Sequence, residues 1–153
     1  MKYILRFIVS LLPLSMVSCK DEYTICNLPK DVRFIAGFYQ TANVPQSAQN
    51  LSVSLLGDTS AIYRRQPNVP SFSLPLNPTV DSSKYLIAVS NSGPRDTLTI
   101  VYSSSNVNLS LECGNVSYHT ITRLSSTLHT IDSVKLITPA INTSSVQNAK
   151  IYF

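Results

Sequence analysis

The chain has 153 residues, 44% of them hydrophobic and only 13% charged, against roughly 25% charged in an average globular domain. Ser, Thr and Asn supply 23, 12 and 11 residues, 46 together, so its polarity is mostly uncharged, which excludes a disordered acidic or basic tail; the length fits one domain. Twelve Lys/Arg against eight Asp/Glu give +4, and without Lys2 and Arg6 the count of ten against eight leaves +2, too little for a nucleic-acid surface.

Residues 1–18 read as a secretory signal. Lys2 and Arg6 form the positive start, and Phe7 to Val17 form an apolar core broken by Ser10, Pro13 and Ser15. Crossing a bilayer takes about 20 apolar residues, so the segment is too short for a permanent span. Met16-Val17-Ser18-Cys19 resembles a bacterial lipobox, with Met16 where Leu is usual, in which the Cys becomes the lipidated first residue. Each buried CH₂ contributes about 0.8 kcal/mol, so the several acyl chains of a lipoprotein hold firmly where one would not. Lys20-Asp21-Glu22 resembles the signal that sends lipoproteins of Bacteroidetes-type bacteria to the cell surface. A charged tether on a periplasm-facing anchor is the other reading. Residues 19–30 are then a lipidated tether, and residues 31–153 a single domain.

Beyond residue 18 the repeating pattern is alternation, not a 3.6-residue period. Val32, Phe34, Ala36 and Phe38 alternate with Arg33, Ile35, Gly37 and Tyr39, and Leu51, Val53 and Leu55 with Ser52 and Ser54. Arg64-Arg65 reads as a solvated loop before a Pro67-Asn68 turn. Phe72, Leu74 and Leu76 form a run that Pro75 demotes to an edge strand. Tyr85 to Val89 is continuously apolar and predicts a strand buried on both faces. Thr97–Tyr102, Val107–Cys113, Val116–Arg123, Ile131–Ile137 and Ala149–Phe153 follow, rich in β-branched and aromatic residues. Turn residues such as Gly57-Asp58, Asn77-Pro78, Ser92-Gly93-Pro94 and Gly114-Asn115 separate these runs. Eight or nine short strands with no crossover helix predict an all-β antiparallel β-sandwich, immunoglobulin-like or similar, without long parallel connections.

Chemical motifs are sparse. There is no G-x-S-x-G, and His119 and His129 are the only histidines; both read as partly exposed strand residues. Cys113, His119, His129 and Asp132 lack metal-ligand spacing, and four glycines make no phosphate loop. No cofactor or metal is expected. With no Trp, and with Tyr39, Tyr63, Tyr85 and Tyr102 inside strand patterns, a glycan-stacking platform is weakly supported. Lipidation accounts for Cys19, so the two remaining cysteines, Cys26 and Cys113, are expected to pair in an oxidising compartment. Asp96-Thr97-Leu98 and Asp132-Ser133-Val134 resemble the Asp-Ser/Thr-apolar triplet at which Bacteroidetes-type bacteria O-glycosylate exported proteins, which would mark Thr97 and Ser133. Such triplets also arise by chance in Ser/Thr-rich chains.

Cys26 ahead of Asp31-Val-Arg-Phe-Ile, then Leu74-Pro-Leu-Asn77, Asp96-Thr-Leu-Thr-Ile-Val-Tyr102, Glu112-Cys-Gly114, Ile131-Asp132 and Lys150-Ile-Tyr-Phe153 follow one another in an order that resembles an uncharacterised family of small Bacteroidetes lipoproteins. The resemblance implies a β-rich, lipid-anchored module and carries no catalytic or binding residues. The expectation is therefore a lipid-anchored outer-membrane protein, on the cell surface or the periplasmic face. Its membrane contact would run through Cys19, beside an unidentified envelope protein partner, and its role would be non-catalytic binding or structure. The alternative is a small envelope hydrolase or a glycan-binding accessory protein. A cluster of His119, His129 and an Asp around a deep pocket would favour the hydrolase.

Overall fold

The computed structural model describes residues 26–153. The signal segment, Cys19 and the Lys20-Asp21-Glu22 triplet lie outside the described residues. Those described form ten strands and no helix: β1 (Arg33–Tyr39), β2 (Ala48–Leu55), β3 (Ala61–Val69), β4 (Ser71–Pro75), β5 (Ser82–Ala88), β6 (Asp96–Ser110), β7 (Gly114–Ser126), β8 (Ser133–Leu136), β9 (Ala140–Ile141) and β10 (Ala149–Tyr152). A four-stranded sheet, β4-β1-β10-β8, packs on a six-stranded sheet, β3-β2-β5-β6-β7-β9. This is the expected all-β sandwich, with more strands than the eight or nine read from the runs.

Alternation builds the core. Phe34, Ala36 and Phe38 of β1, Phe72 and Leu74 of β4 and Ile151 of β10 meet Leu51 and Val53 of β2, Tyr85 and Ile87 of β5, and Leu98 and Ile100 of β6. The Phe38 ring lies 5.2 Å from Phe72 and 5.3 Å, edge-on, from Phe153. Pro75 ends β4, an edge strand, as its missing N–H requires.

Four expectations need correction. β1 and β10 pair in parallel, with Ala36 opposite Ala149 and Tyr39 opposite Tyr152. The long connection between first and last strands is the whole intervening sandwich, so no crossover helix is required. The run from Tyr85 is buried on both faces only in part: Tyr85 and Ile87 face the core and Ala88 is buried on the other side, but Leu86 there is half-buried. Arg64, Arg65, Pro67 and Asn68 are not loop and turn but strand β3, whose burial shows no alternation because it is an exposed edge. Thr97–Tyr102 and Val107–Ser110 are one strand, since Ser103-Ser104-Ser105-Asn106 between them continues β6 without a turn.

That last feature makes an arm. The first half of β6 alternates, burying Asp96, Leu98, Ile100 and Tyr102, whereas Ser103 to Asn106 are exposed. Beyond Tyr102, β6 and β7 run on as a mostly solvated ribbon held by its ladder and by polar cross-strand pairs. Ser117 Oγ donates to Asn106 Oδ1 at 3.0 Å, and Asn108 Nδ2 donates to Asn115 Oδ1 at 2.9 Å. Gly114, at φ +71°, turns the tip.

Cys113 at that tip is bonded to Cys26, with Cα atoms 4.9 Å apart and a sequence separation of 87. Cys26 belongs to the stretch read as tether, so that stretch is cross-linked to the arm. Closing so long a loop is worth about 4 to 5 kcal/mol in the chain-entropy picture. The chain produced in an oxidising compartment and unfolded without reductant should therefore show neither Cys26 nor Cys113 as a free thiol. Cys113→Ser should lower its unfolding free energy in urea by up to about 4 kcal/mol; two reactive thiols in the unreduced chain would contradict the bond.

Candidate functional site

The edge strands β3 and β4 belong to different sheets and are joined through Pro70 alone. Tyr63 of β3 clamps them, its hydroxyl accepting the Ser73 amide at 3.0 Å. Past that clamp the edges part, and a cleft of about 650 Å³ opens at one end of the sandwich, within the range of small-ligand sites. Leu55, Leu56, Ile62, Leu76, Val80 and Tyr85 supply its apolar lining, with Asp58 and Lys84 at its margin. Leu56 and Val80 are 47% and 45% exposed, a contiguous apolar surface that folding has not covered.

Its walls are fixed by hydroxyls. Ser83 Oγ lies 2.9 Å from Tyr102 Oη, which donates to the Asn77 carbonyl at 2.9 Å, while the Tyr85 hydroxyl donates to the Pro75 carbonyl. Burial pushes the Tyr85 phenol up, so it stays a neutral donor. The β4–β5 connection is thus tied to β5 and β6 through carbonyls that have no ladder partner. Gly57, at φ +91°, turns β2 into β3 behind Leu56, and the Leu56 amide still donates to Lys84 O at 2.8 Å, keeping Leu56 beside β5.

The histidines are corrected by the structure. His119 is buried in β7, its Nδ1 2.8 Å from Ser104 Oγ and its ring edge-on to Tyr102 at 5.2 Å. Burial lowers its pKa, which favours the neutral ring. His129 lies after β7 in an exposed bend, and the two are not brought together. Among the described residues no carboxylate hydrogen-bonds to His119, so the Ser104–His119 contact lacks the acid that would orient a catalytic base. Nor do the described residues include a group of three or more His, Cys, Asp or Glu placed to hold a metal ion. Thr97 is half-buried in β6, and Ser133 is exposed at the start of β8.

Asp96 is the residue that sequence reasoning undervalued. It is 1% exposed. Its Oδ1 accepts from Thr127 Oγ1 and the His129 amide, and its Oδ2 from the Thr130 and Ile131 amides, all at 2.8–2.9 Å. Desolvation by itself would raise its pKa, but these hydrogen bonds prevail and hold the carboxyl below the ordinary aspartate range. The only sequence signal was an acid opening a strand where apolar alternation begins. Because the folded pKa is depressed, the stabilisation is complete above the unfolded value of about 3.9 and is lost as pH falls through the folded one. Asp96→Asn should cost about 2–4 kcal/mol at pH 7 and lose much less on acidification to pH 3 than the wild type does. Urea denaturation at both pH values measures this, and parallel losses in the two proteins would contradict it.

Neither the curated proteins nor the solved structures compared with this chain match it. The family match runs over residues 50–153, from within β2 to the C-terminus, so it takes in the cleft, the arm and Cys113 but not β1. The chain belongs to a family of unknown function, DUF6452.

Proposed function

We propose that this chain is a non-catalytic binding module, held at the outer membrane by a lipid on Cys19 after removal of residues 1–18, and that its ligand is apolar. The cleft carries this reading. Large aliphatic side chains left open at a concave site, with two charged groups at the margin, are the features of a small-molecule pocket. Three of the tyrosines in strand patterns offer no comparable surface for a sugar: Tyr85 and Tyr102 are buried, and the Tyr39 ring is covered by Lys150 Nζ at 4.4 Å. A hydrolase reading gains nothing from His119 and His129 held apart.

Two measurements address the two halves of the proposal. Metabolic labelling with an alkyne fatty acid should mark the wild-type chain and not Cys19→Ala; equal labelling would refute the anchor. The exported Cys19→Ala chain, taken from residue 19, should bind the uncharged dye Nile red with a blue-shifted emission. Replacing Leu56 and Ile62 together by Asn should weaken that binding by about tenfold or more, since roughly 1.5–3 kcal/mol accompanies burial of each large aliphatic side chain. Dye binding indifferent to the pair would place the apolar site elsewhere.

A further inference from the structure

Adjacent residues of a regular strand point to opposite faces, yet Arg64 and Arg65 line one concavity on the outer face of the six-stranded sheet. The register explains it. Gln66 pairs with Leu51 and Tyr63 with Val53, so Arg64 and Arg65 together face the single residue Ser52 across a β-bulge. Arg65 takes φ +47° there, and its amide donates to Ser52 Oγ at 3.2 Å. Arg95, from the segment before β6, reaches the same concavity, which measures about 430 Å³ and also presents Ser52, Ser54 and Thr59.

None of the three guanidiniums forms a salt bridge among the described residues, where Arg33–Asp31 is the ion pair. Asp58 is the one acid on the wall, and its Oδ1 accepts the Ser60 amide at 2.8 Å. Three positive charges and one negative leave +2, complementary to a phosphate monoester, which carries about −1.5 to −2 at neutral pH. Guanidinium forks and hydroxyls suit its several oxygens better than the two of a carboxylate.

Asp58 and Ala61, at the β2–β3 turn, line both this concavity and the apolar cleft. The two sites are therefore the two sides of one hairpin. The cleft also lies at the pole where the N-terminal segment enters, since Arg33 pairs with Pro75 in its wall. Residue 33 is seven residues from Cys26, and Cys26 seven from Cys19. We propose that the ligand is a phosphate-bearing lipid, its phosphate monoester held by Arg64, Arg65 and Arg95 and its acyl chain in the cleft. This rests on the apolar-ligand reading above and names the headgroup chemistry of that same site.

Calorimetric titration of the exported Cys19→Ala chain, taken from residue 19, with three soluble probes tests it. Dihexanoyl phosphatidate should bind at least about tenfold more tightly than glucose 1-phosphate, which lacks the chain, or dihexanoyl phosphatidylcholine, which lacks the monoester. Arg64→Gln and Arg95→Gln should each weaken both phosphate monoesters several-fold, and Arg65→Lys, which keeps the charge but loses the fork, should weaken them less than Arg65→Gln. Replacing Leu56 and Ile62 by Asn should bring phosphatidate down to the affinity of glucose 1-phosphate and leave the latter unchanged. Phosphatidate binding that falls with the Leu56/Ile62 pair but ignores every arginine change overturns the headgroup assignment and spares the apolar site. Binding that ignores the Leu56/Ile62 pair overturns the apolar reading and, with it, the lipid.

Discussion

A chain that passes between two sheets leaves backbone donors and acceptors without ladder partners at every passage, and buried ones must be satisfied some other way. Here the passages fall between β1 and β2, β3 and β4, β4 and β5, β7 and β8, β8 and β9, and β9 and β10. Several are served by a polar side chain from a neighbouring element. Asp96 receives the β7–β8 passage through three consecutive amides. Asn148, 1% exposed, accepts the Ile35 amide and donates to the Thr138 and Ala140 carbonyls, joining β1 to the β8–β9 passage. Tyr102 and Tyr85 serve the β4–β5 passage. The described residues contain no buried side-chain nitrogen or oxygen without a partner. A charge as buried as Asp96 is tolerable only on such terms.

The cleft follows from the same constraint. At the β3–β4 passage the satisfying group is the Tyr63 hydroxyl, which both accepts the Ser73 amide and reaches its carbonyl at 3.4 Å. One phenol can hold two edges together at one level only. Beyond it β3 turns back at Ala61 and β4 ends at Pro75, so the sheets separate with their inward-facing apolar residues still in place. Both edges carry a proline, Pro67 in β3 and Pro75 in β4, which discourages pairing with another chain.

The sandwich was legible because the strands that face its core alternate. β1, β2 and β4 follow the pattern nearly residue by residue, and the pairing of Cys26 with Cys113 followed from parity and compartment. Alternation failed where one side of the strand has no core to face. β3 is an edge with a bulge, so its arginines looked like loop; the distal part of β6 has solvent on its outer side, so Ser103 to Asn106 looked like a break. The site was not legible at all. Leu55-Leu56 before Gly57 signals a strand running into a turn, but their exposure depends on the divergence of β3 from β4, which are neighbours in sequence and belong to different sheets. The convergence of Arg64 and Arg65 depends on a register shift that propensity does not encode, and Arg95 arrives from a distant part of the chain. His119 was misjudged for a related reason, since Tyr102 and Ser104 across the ladder cover it.

The disulfide changes what the N-terminal segment is attached to. Without it, a chain leading toward Cys19 would leave the sandwich at Arg33, level with Pro75 and the cleft wall. With it, the exit point is Cys26 at the tip of the β6–β7 arm. Ser82, in the cleft, is level with Val101, Ser110 near the tip is nine residues further along β6, and the seven residues from Arg33 to Cys26 keep the tip within about 25 Å of the cleft wall. From Cys26 to Cys19 is seven residues, which span at most about 25 Å. Leu111, 95% exposed, stands at that tip beside the exit. The staple therefore turns a flexible attachment at the cleft wall into a fixed one at the end of a hydrogen-bonded ribbon, and the cleft is carried at a set height above the point where the chain leaves. Under the lipid-ligand proposal, a site built that way would meet its ligand outside the bilayer, where both a place for the acyl chain and a counter-charge for the headgroup would be needed to hold an amphiphile against water.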